Sequence, residues 1–235
     1  MTNMRLPIFL FFIILIGCNR TPPTTPTPAS VTDCDGNIYH TVTIGTQVWM
    51  VENLRTTKYR DCTPIANVTD NSAWASLSTG AYCDFENDAN NVATYGRLYN
   101  GYTVLNSHNL APQGWHIPTD AEWETLRTFL CQCTGAGNAG GKLKEAGLTH
   151  WLSPNTGADN SSGFTGLPGS RRLAFDGTFS PALGNGGTWW STTTSTVPGY
   201  PPILGFHGLV ASSADGPFSG AESMNYGNSV RCIKD

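Results

Sequence analysis

The chain carries little charge. Only 13% of its 235 residues are Asp, Glu, Lys or Arg, against roughly 25% in an average globular chain. Basic residues do not cluster beyond Arg171-Arg172, so the electrostatic footprint of a nucleic-acid binder is missing. The formal net charge of −4 gives no reason to adhere to anionic lipid by electrostatics. No apolar run approaches the roughly 20 residues that span a bilayer; the longest, residues 6–16, is about half of that. Catalytic constellations are scarce as well. The five histidines (His40, His108, His116, His150, His207) are scattered singly, none at i, i+4 from another or beside a Ser or Cys in a nucleophile setting. They read as packing or surface residues. Cys131-Gln132-Cys133 lacks a second Cys or His pair at ligand spacing, which argues against a metal or redox site there. Strong helix formers are few, whereas Gly, Asn, Ser and Thr abound, so the chain is turn-rich.

What is present begins at the N-terminus. In MTNMRLPIFLFFIILIGCNR a lone Arg5 precedes the apolar run, and Leu15-Ile16-Gly17 leads into Cys18. This pattern predicts a signal peptide over residues 1–17 whose cleavage leaves a lipidated Cys18, with the chain exported and held by acyl groups at a bacterial membrane, the outer membrane or cell surface. Losing Arg5 takes the net charge from −4 to −5. Residues 18–32 form a tether: TPPTTPTPA (21–29) stays extended and hydrated, reaching some 30 Å or less at about 3 Å per residue. Folded structure is expected from Asp33, over residues 33–235. Six further cysteines remain (Cys34, Cys62, Cys83, Cys131, Cys133, Cys232). In an oxidising compartment an even number suggests up to three disulfides, in any of 15 pairings; Cys131 and Cys133 are too close in sequence to be natural partners of each other.

Along the folded part, Asp35-Gly36-Asn37 marks a turn, and Ile38–Ile44 and Gln47–Met50 read as a hairpin about Gly45-Thr46. Residues 71–77 suit one helical turn carrying Trp74 and Leu77. The clearest helix follows Pro118: Thr119-Asp120-Ala121-Glu122 is a capping box, and Trp123, Leu126 and Leu130 recur at helical spacing. A second short helix is expected over residues 142–146, stopped by Gly147. From His150 onward the text reads as long loops with short strands, among them 187–191 and 229–233.

Seven segments, DGNIYHTVTIGTQVWMVENLRTTKY, YGRLYNGYTV, LAPQGWHIPTDAEWETL, AGGKLKEAG, GFTGLPGSRR, GTWWSTT and SVRCIKD, occur in order. Together they closely resemble the Fibrobacter succinogenes major paralogous (FISUMP) domain, a family of exported bacterial proteins. The resemblance covers residues 33–235. HIPTDAEWE (116–124) echoes the RLPTEAEWE helix start of formylglycine-generating enzymes and other sulfatase-modifying proteins. The resemblance therefore implies a C-type-lectin-like α+β fold: small twisted antiparallel sheets, one or two flanking helices, long irregular loops, disulfide staples, and N- and C-terminal strands lying together. Cys34 and Cys62 fall where the family pattern has no cysteine, which suggests a bridge between them. Cys131 and Cys133 stand at a usually Gly-rich helix exit. The stretch 196–220 is Pro/Gly-rich in place of the family's aromatic-polar repeats.

Against that background the chemistry can be weighed. Copper-dependent oxygen activation of the formylglycine-generating type needs paired late cysteines, and only Cys232 lies late. Calcium-dependent sugar motifs (Glu-Pro-Asn, Gln-Pro-Asp, Trp-Asn-Asp) are absent. Asp84, Glu86 and Asp88 supply alternating oxygens that a Ca²⁺ ion would accept, although an acidic turn explains them equally. No other cofactor is implied. Most tryptophans are needed to fill the core; for stacking on a sugar ring the loop aromatics Trp151, Trp190, Tyr200 and Phe206 are the candidates. The expectation is a non-catalytic envelope protein binding an extracellular glycan or an envelope protein, with no nucleic acid. The alternatives are a diverged oxygen-using enzyme or a purely structural envelope component.

Overall fold

Asp33 sets the first turn. In the computed structural model, which describes residues 29–131, 137–181, 183–196, 198–199 and 201–235, one Asp33 oxygen accepts from the amides of Asp35 and Asn37, each at 2.9 Å. The other accepts from Asn37 Nδ2 and the Tyr39 hydroxyl. This Asx-type closure aims the chain into the hairpin, in register Val42↔Trp49 and Ile44↔Gln47.

In chain order the strands and helices are β1 (Ser30–Thr32), β2 (Ile38–Ile44), β3 (Gln47–Met50), β4 (Ala66–Asn67), α1 (Asn71–Ala75), β5 (Ala81–Cys83), α2 (Val92–Tyr95), β6 (Leu98–Asn100), α3 (Gly101–Val104), β7 (Trp115–His116), α4 (Asp120–Cys131), α5 (Ala139–Leu143), β8 (Gly186–Ser195), β9 (Ile203–Val210), β10 (Phe218–Ser223), β11 (Gly227–Asn228) and β12 (Ile233–Lys234). They build an α+β fold of three small sheets, ordered β1-β2-β3-β12-β7, β11-β6-β5-β4 and β10-β9-β8. Among the described residues the strand ladders are antiparallel except β4 with β5, and isolated parallel bridges join Lys144 to Gly166, Ser170 to Gly187 and Trp189 to Ser229. The C-terminal β12 lies between β3 and β7, so the N- and C-terminal strands lie together as the resemblance implies. The fold begins slightly before the expected Asp33, because Ser30, Val31 and Thr32 pair with β2.

The capping box closes as the sequence predicts. Glu122 accepts from the Thr119 amide at 2.8 Å, and the Thr119 hydroxyl accepts from the Glu122 amide at 3.3 Å. Trp123, Leu126 and Leu130 are the buried face of α4. The second helix sits earlier than expected, at Ala139–Leu143, because Lys144 turns extended there. Its ammonium is buried and donates to the carbonyls of Thr156, Val210 and Ser213 at 2.8–3.1 Å. The region after residue 185 corrects the expectation of short strands, since β8 runs ten residues and β9 eight.

All seven tryptophans are buried, which supplies large apolar area to a chain short of aliphatics. Trp151 and Trp190 are 1% and 0% exposed. Their indole N–H groups donate to Gly166 O and Tyr99 O. Neither is a sugar platform: both rings belong to the core.

Cys34 and Cys62 form a disulfide across 28 residues. Cys131 is disulfide-bonded too; Cys133 and Cys18 lie outside the described residues. Cys83 and Cys232 are instead free thiols, a correction to the three-bridge expectation. They sit in separate core clusters, and burial pushes the Cys83 thiol up to about 12 and that of Cys232 higher still. Among the described residues no helix is long and apolar enough to cross a membrane.

Candidate functional site

The ribbon of β9 and β10 interlocks aromatic rings with glycines. Phe218 stands opposite Gly208, and Phe206 opposite Gly220. Each ring lies over the glycine across from it, so a Cβ at Gly208 would come within 2.3 Å of Phe218, and one at Gly220 within 2.9 Å of Phe206. The bare backbone lets the two rings meet edge to face at 6.0 Å, the geometry their quadrupoles favour. Phe218 stays 44% exposed at the sheet edge; Phe206 is half-buried.

Strand periodicity then puts Glu222 on the same face, two residues beyond Gly220. Its carboxylate accepts from Arg171 Nη1 at 2.9 Å and from Asn228 Nδ2 at 2.5 Å. Asn228 Oδ1 in turn accepts from the Thr188 hydroxyl. Burial raises the Glu222 pKa, outweighing Asn228 and Arg171, which both lower it. The Arg171 guanidinium lies over the Tyr226 ring at 5.1 Å and the Phe206 ring at 5.9 Å. The Phe206 and Phe218 rings and the guanidinium line a cleft of about 190 Å³, together with Ser180, Asn185, Gly186, Leu209 and Val210. Its lining combines two phenyl rings, the aliphatic Leu209 and Val210 and several polar groups, which is the make-up of a site for a small amphipathic ligand.

The opposite face of the ribbon carries a second cavity of about 300 Å³, bordered by His207, Ser219, Glu124, Arg127, Trp123 and again Phe218. His207 stacks on Trp123 at 5.0 Å and pairs through Nε2 with Asp120 at 3.0 Å. Burial lowers its pKa despite Asp120. Elsewhere Arg60 borders three shallow cavities, but its Nε and Nη2 are held by Ala111 O and Trp115 O.

Of the four aromatic candidates, only Phe206 reaches a cleft; Tyr200 lies outside the described residues. The structure does not gather Asp84, Glu86 and Asp88 into a ligand set. Asp84 is ion-paired with Arg97, Asp88 accepts from the backbone and side-chain nitrogens of Asn90, and Glu86 points into solvent. Among the described residues no group of three His, Cys, Asp or Glu could hold a metal ion. Sequence reasoning passed over Phe218, Glu222 and Asn228. The available signal was the alternation Phe218, Gly220, Glu222 with small residues between, a half-exposed strand pattern.

The molecule is thus a loop-rich α+β protein of small curled sheets with a mixed aromatic and polar cleft at one sheet edge. Residues 42–234 match the family model of the Fibrobacter succinogenes major domain, and the chain belongs to that family. No curated protein and no solved structure matches it.

Proposed function

We propose that this protein is a non-catalytic, lipid-anchored bacterial envelope protein of C-type-lectin-like fold that binds an extracellular glycan in the Phe206–Phe218 cleft. One observation carries the reading: two phenyl rings and the Arg171 guanidinium, itself held by Glu222, line a single cleft of about 190 Å³. That is below the roughly 300 Å³ at which drug-sized sites begin and suits a single sugar ring. A pyranose has an apolar face that packs on phenyl groups and an edge of hydroxyls that exchange hydrogen bonds with polar side chains. The lectin-like assignment is supported by the HIPTDAEWE helix start and by β12 lying beside β3. The anchor rests on the Leu15-to-Cys18 pattern. No specific observation favours the oxygen-using enzyme or the purely structural role.

The test is a screen of the full chain in detergent against plant, host and bacterial polysaccharides. Saturable binding is expected, weakened roughly tenfold or more by Phe206→Ala and by Phe218→Ala, since each removes a stacking surface. Absence of binding, or binding indifferent to both substitutions, overturns the proposal.

A further inference from the structure

The cleft's guanidinium is only partly used. Arg171 gives Nη1 to Glu222, whereas its Nε and Nη2 bond no described residue. These two nitrogens form the side of a guanidinium that presents parallel donors. Among the described residues every other arginine commits its Nε to the protein: Arg55 to Asn37, Arg60 to Ala111, Arg97 to Arg55, Arg127 to Glu124, Arg172 to Gly177 and Arg231 to Asn53. The exception is the arginine that lines the cleft, with 31% of its side chain exposed above a Glu222 that is 9% exposed. Glu222 from below and the Phe206 and Tyr226 rings beside it hold the guanidinium in place. Ser180 and Asn185 add neutral polarity, and Arg171 is the one formally charged residue among those lining the cleft.

A donor fork fixed in this way matches a carboxylate, which accepts two parallel N–H···O bonds. We infer that the cleft takes a hexuronate residue of an acidic polysaccharide, its carboxylate on Nε and Nη2 of Arg171 and its ring against Phe206 and Phe218. The inference rests on the glycan reading above and narrows it to acidic sugars. The net charge of −4 opposes a polyanion at long range. Salt at about 0.1 M confines that repulsion to some 10 Å, while the short fork contact survives it.

The experiment compares oligomers of galacturonate, glucuronate and mannuronate with their methyl esters, using the full chain in detergent and titration calorimetry. At least one free acid is expected to bind roughly tenfold or more tighter than its ester. Arg171→Gln should bind acid and ester alike, and Arg171→Lys should lose most of the preference, because it keeps the charge and loses the fork. Unchanged melting temperatures in both variants exclude misfolding as the cause. Equal binding of acids and esters, or a preference that survives Arg171→Gln, overturns the inference while leaving glycan binding intact. So does a sulfated oligosaccharide or an acidic peptide that binds through Arg171 where the uronates do not. Failure of every carbohydrate, neutral or acidic, removes both.

Discussion

Arg171 and Arg172 are neighbours in the chain and opposites in the molecule. Arg172 is fully buried, clamped between Trp74 at 4.5 Å and Phe179 at 4.9 Å. It donates to the carbonyls of Gly177, Val68 and Thr69 and to Asn71 Oδ1 at 2.6–3.0 Å. Lys144 gathers three carbonyls in the same manner, and Arg231 reaches Asn53 and Phe164 O beneath the Phe164 ring. These buried cations satisfy backbone carbonyls, most of them in loops, that a buried irregular backbone would otherwise leave without partners. On the β9–β10 ribbon, backbone groups already pair in a ladder, and Arg171, packed against its Phe206 face, bonds the described residues through Nη1 alone. In a chain this poor in charge, a buried cation without a carboxylate acts as a structural clamp, whereas a half-used one at an edge is what the proposed site is built on.

The comparison breaks most visibly in unfolding. Arg172→Met orphans several buried carbonyls and should cost about 3 kcal/mol or more, whereas Arg171→Met, about one-third exposed and leaving Glu222 its bond from Asn228, should cost about 1–2 kcal/mol. Denaturant titration of both variants decides; equal losses would erase the distinction. Next comes the staple. Replacing Cys34 and Cys62 by alanine frees a loop spanning 28 residues and should cost about 3 kcal/mol through the entropy of the unfolded chain. The glycan binding proposed for the ribbon should survive this at temperatures where the variant remains folded.

Local signals in this chain were readable and long-range ones were not. The hairpin about Gly45-Thr46 and the capped start of α4 depend on residues within a few positions of one another, and both stand where the sequence places them. Arg172 meets Val68 across 104 residues, so nothing near it in sequence reveals a clamp. The ribbon escaped notice because Gly205, Gly208 and Gly220 dilute the β-branched and aromatic text that identifies strands. Gly208 and Gly220 make sense only once Phe218 and Phe206 are seen lying on them, and Gly205 once Asp120 is seen against it. Cysteine parity misled for a related reason: Cys83 and Cys232 are buried in different clusters and act as small apolar side chains. Trp190 lies in the strand expected over residues 187–191, opposite Phe206; what its local sequence did not show is that the ring is fully buried.

The interlocked glycines offer a smaller and more local break. Gly208→Ala pushes a methyl against the Phe218 ring, which has solvent to move into, so the stability loss should be about 1–3 kcal/mol. Ligand binding should fall with it as the aromatic wall opens. Gly36→Ala, whose added Cβ meets no atom within 4 Å but whose φ is +82°, should lose a comparable amount through backbone strain and leave binding unchanged. A Gly208→Ala variant that binds as well as the parent would show that Phe218 is not part of the wall.

The finest contrast is between two histidines at either end of the α4 start. His116 lies between Glu122 and Asp235, each at 2.7 Å. Desolvation pulls its pKa down, but the bonds to Asp235 and Glu122 outweigh it, and the pKa is raised above 6.5. His207 also has a carboxylate, Asp120, and Glu124 nearby, yet burial prevails and its pKa is lowered below 6.5. The signs therefore oppose. The stabilisation from His116 is complete below the unfolded value and is lost as pH rises through the raised folded one. At His207 the unfolded chain binds the proton more readily, so stability falls as pH drops from 6.5 through the lowered folded value. Side-chain NMR titration should show His116 titrating above 6.5 and His207 below it. Asp120→Asn should move His207 lower still, because it removes the charge that favours the imidazolium. If His207 instead titrates above His116, Asp120 dominates its surroundings, and the ribbon's inner face carries a charged imidazolium at neutral pH.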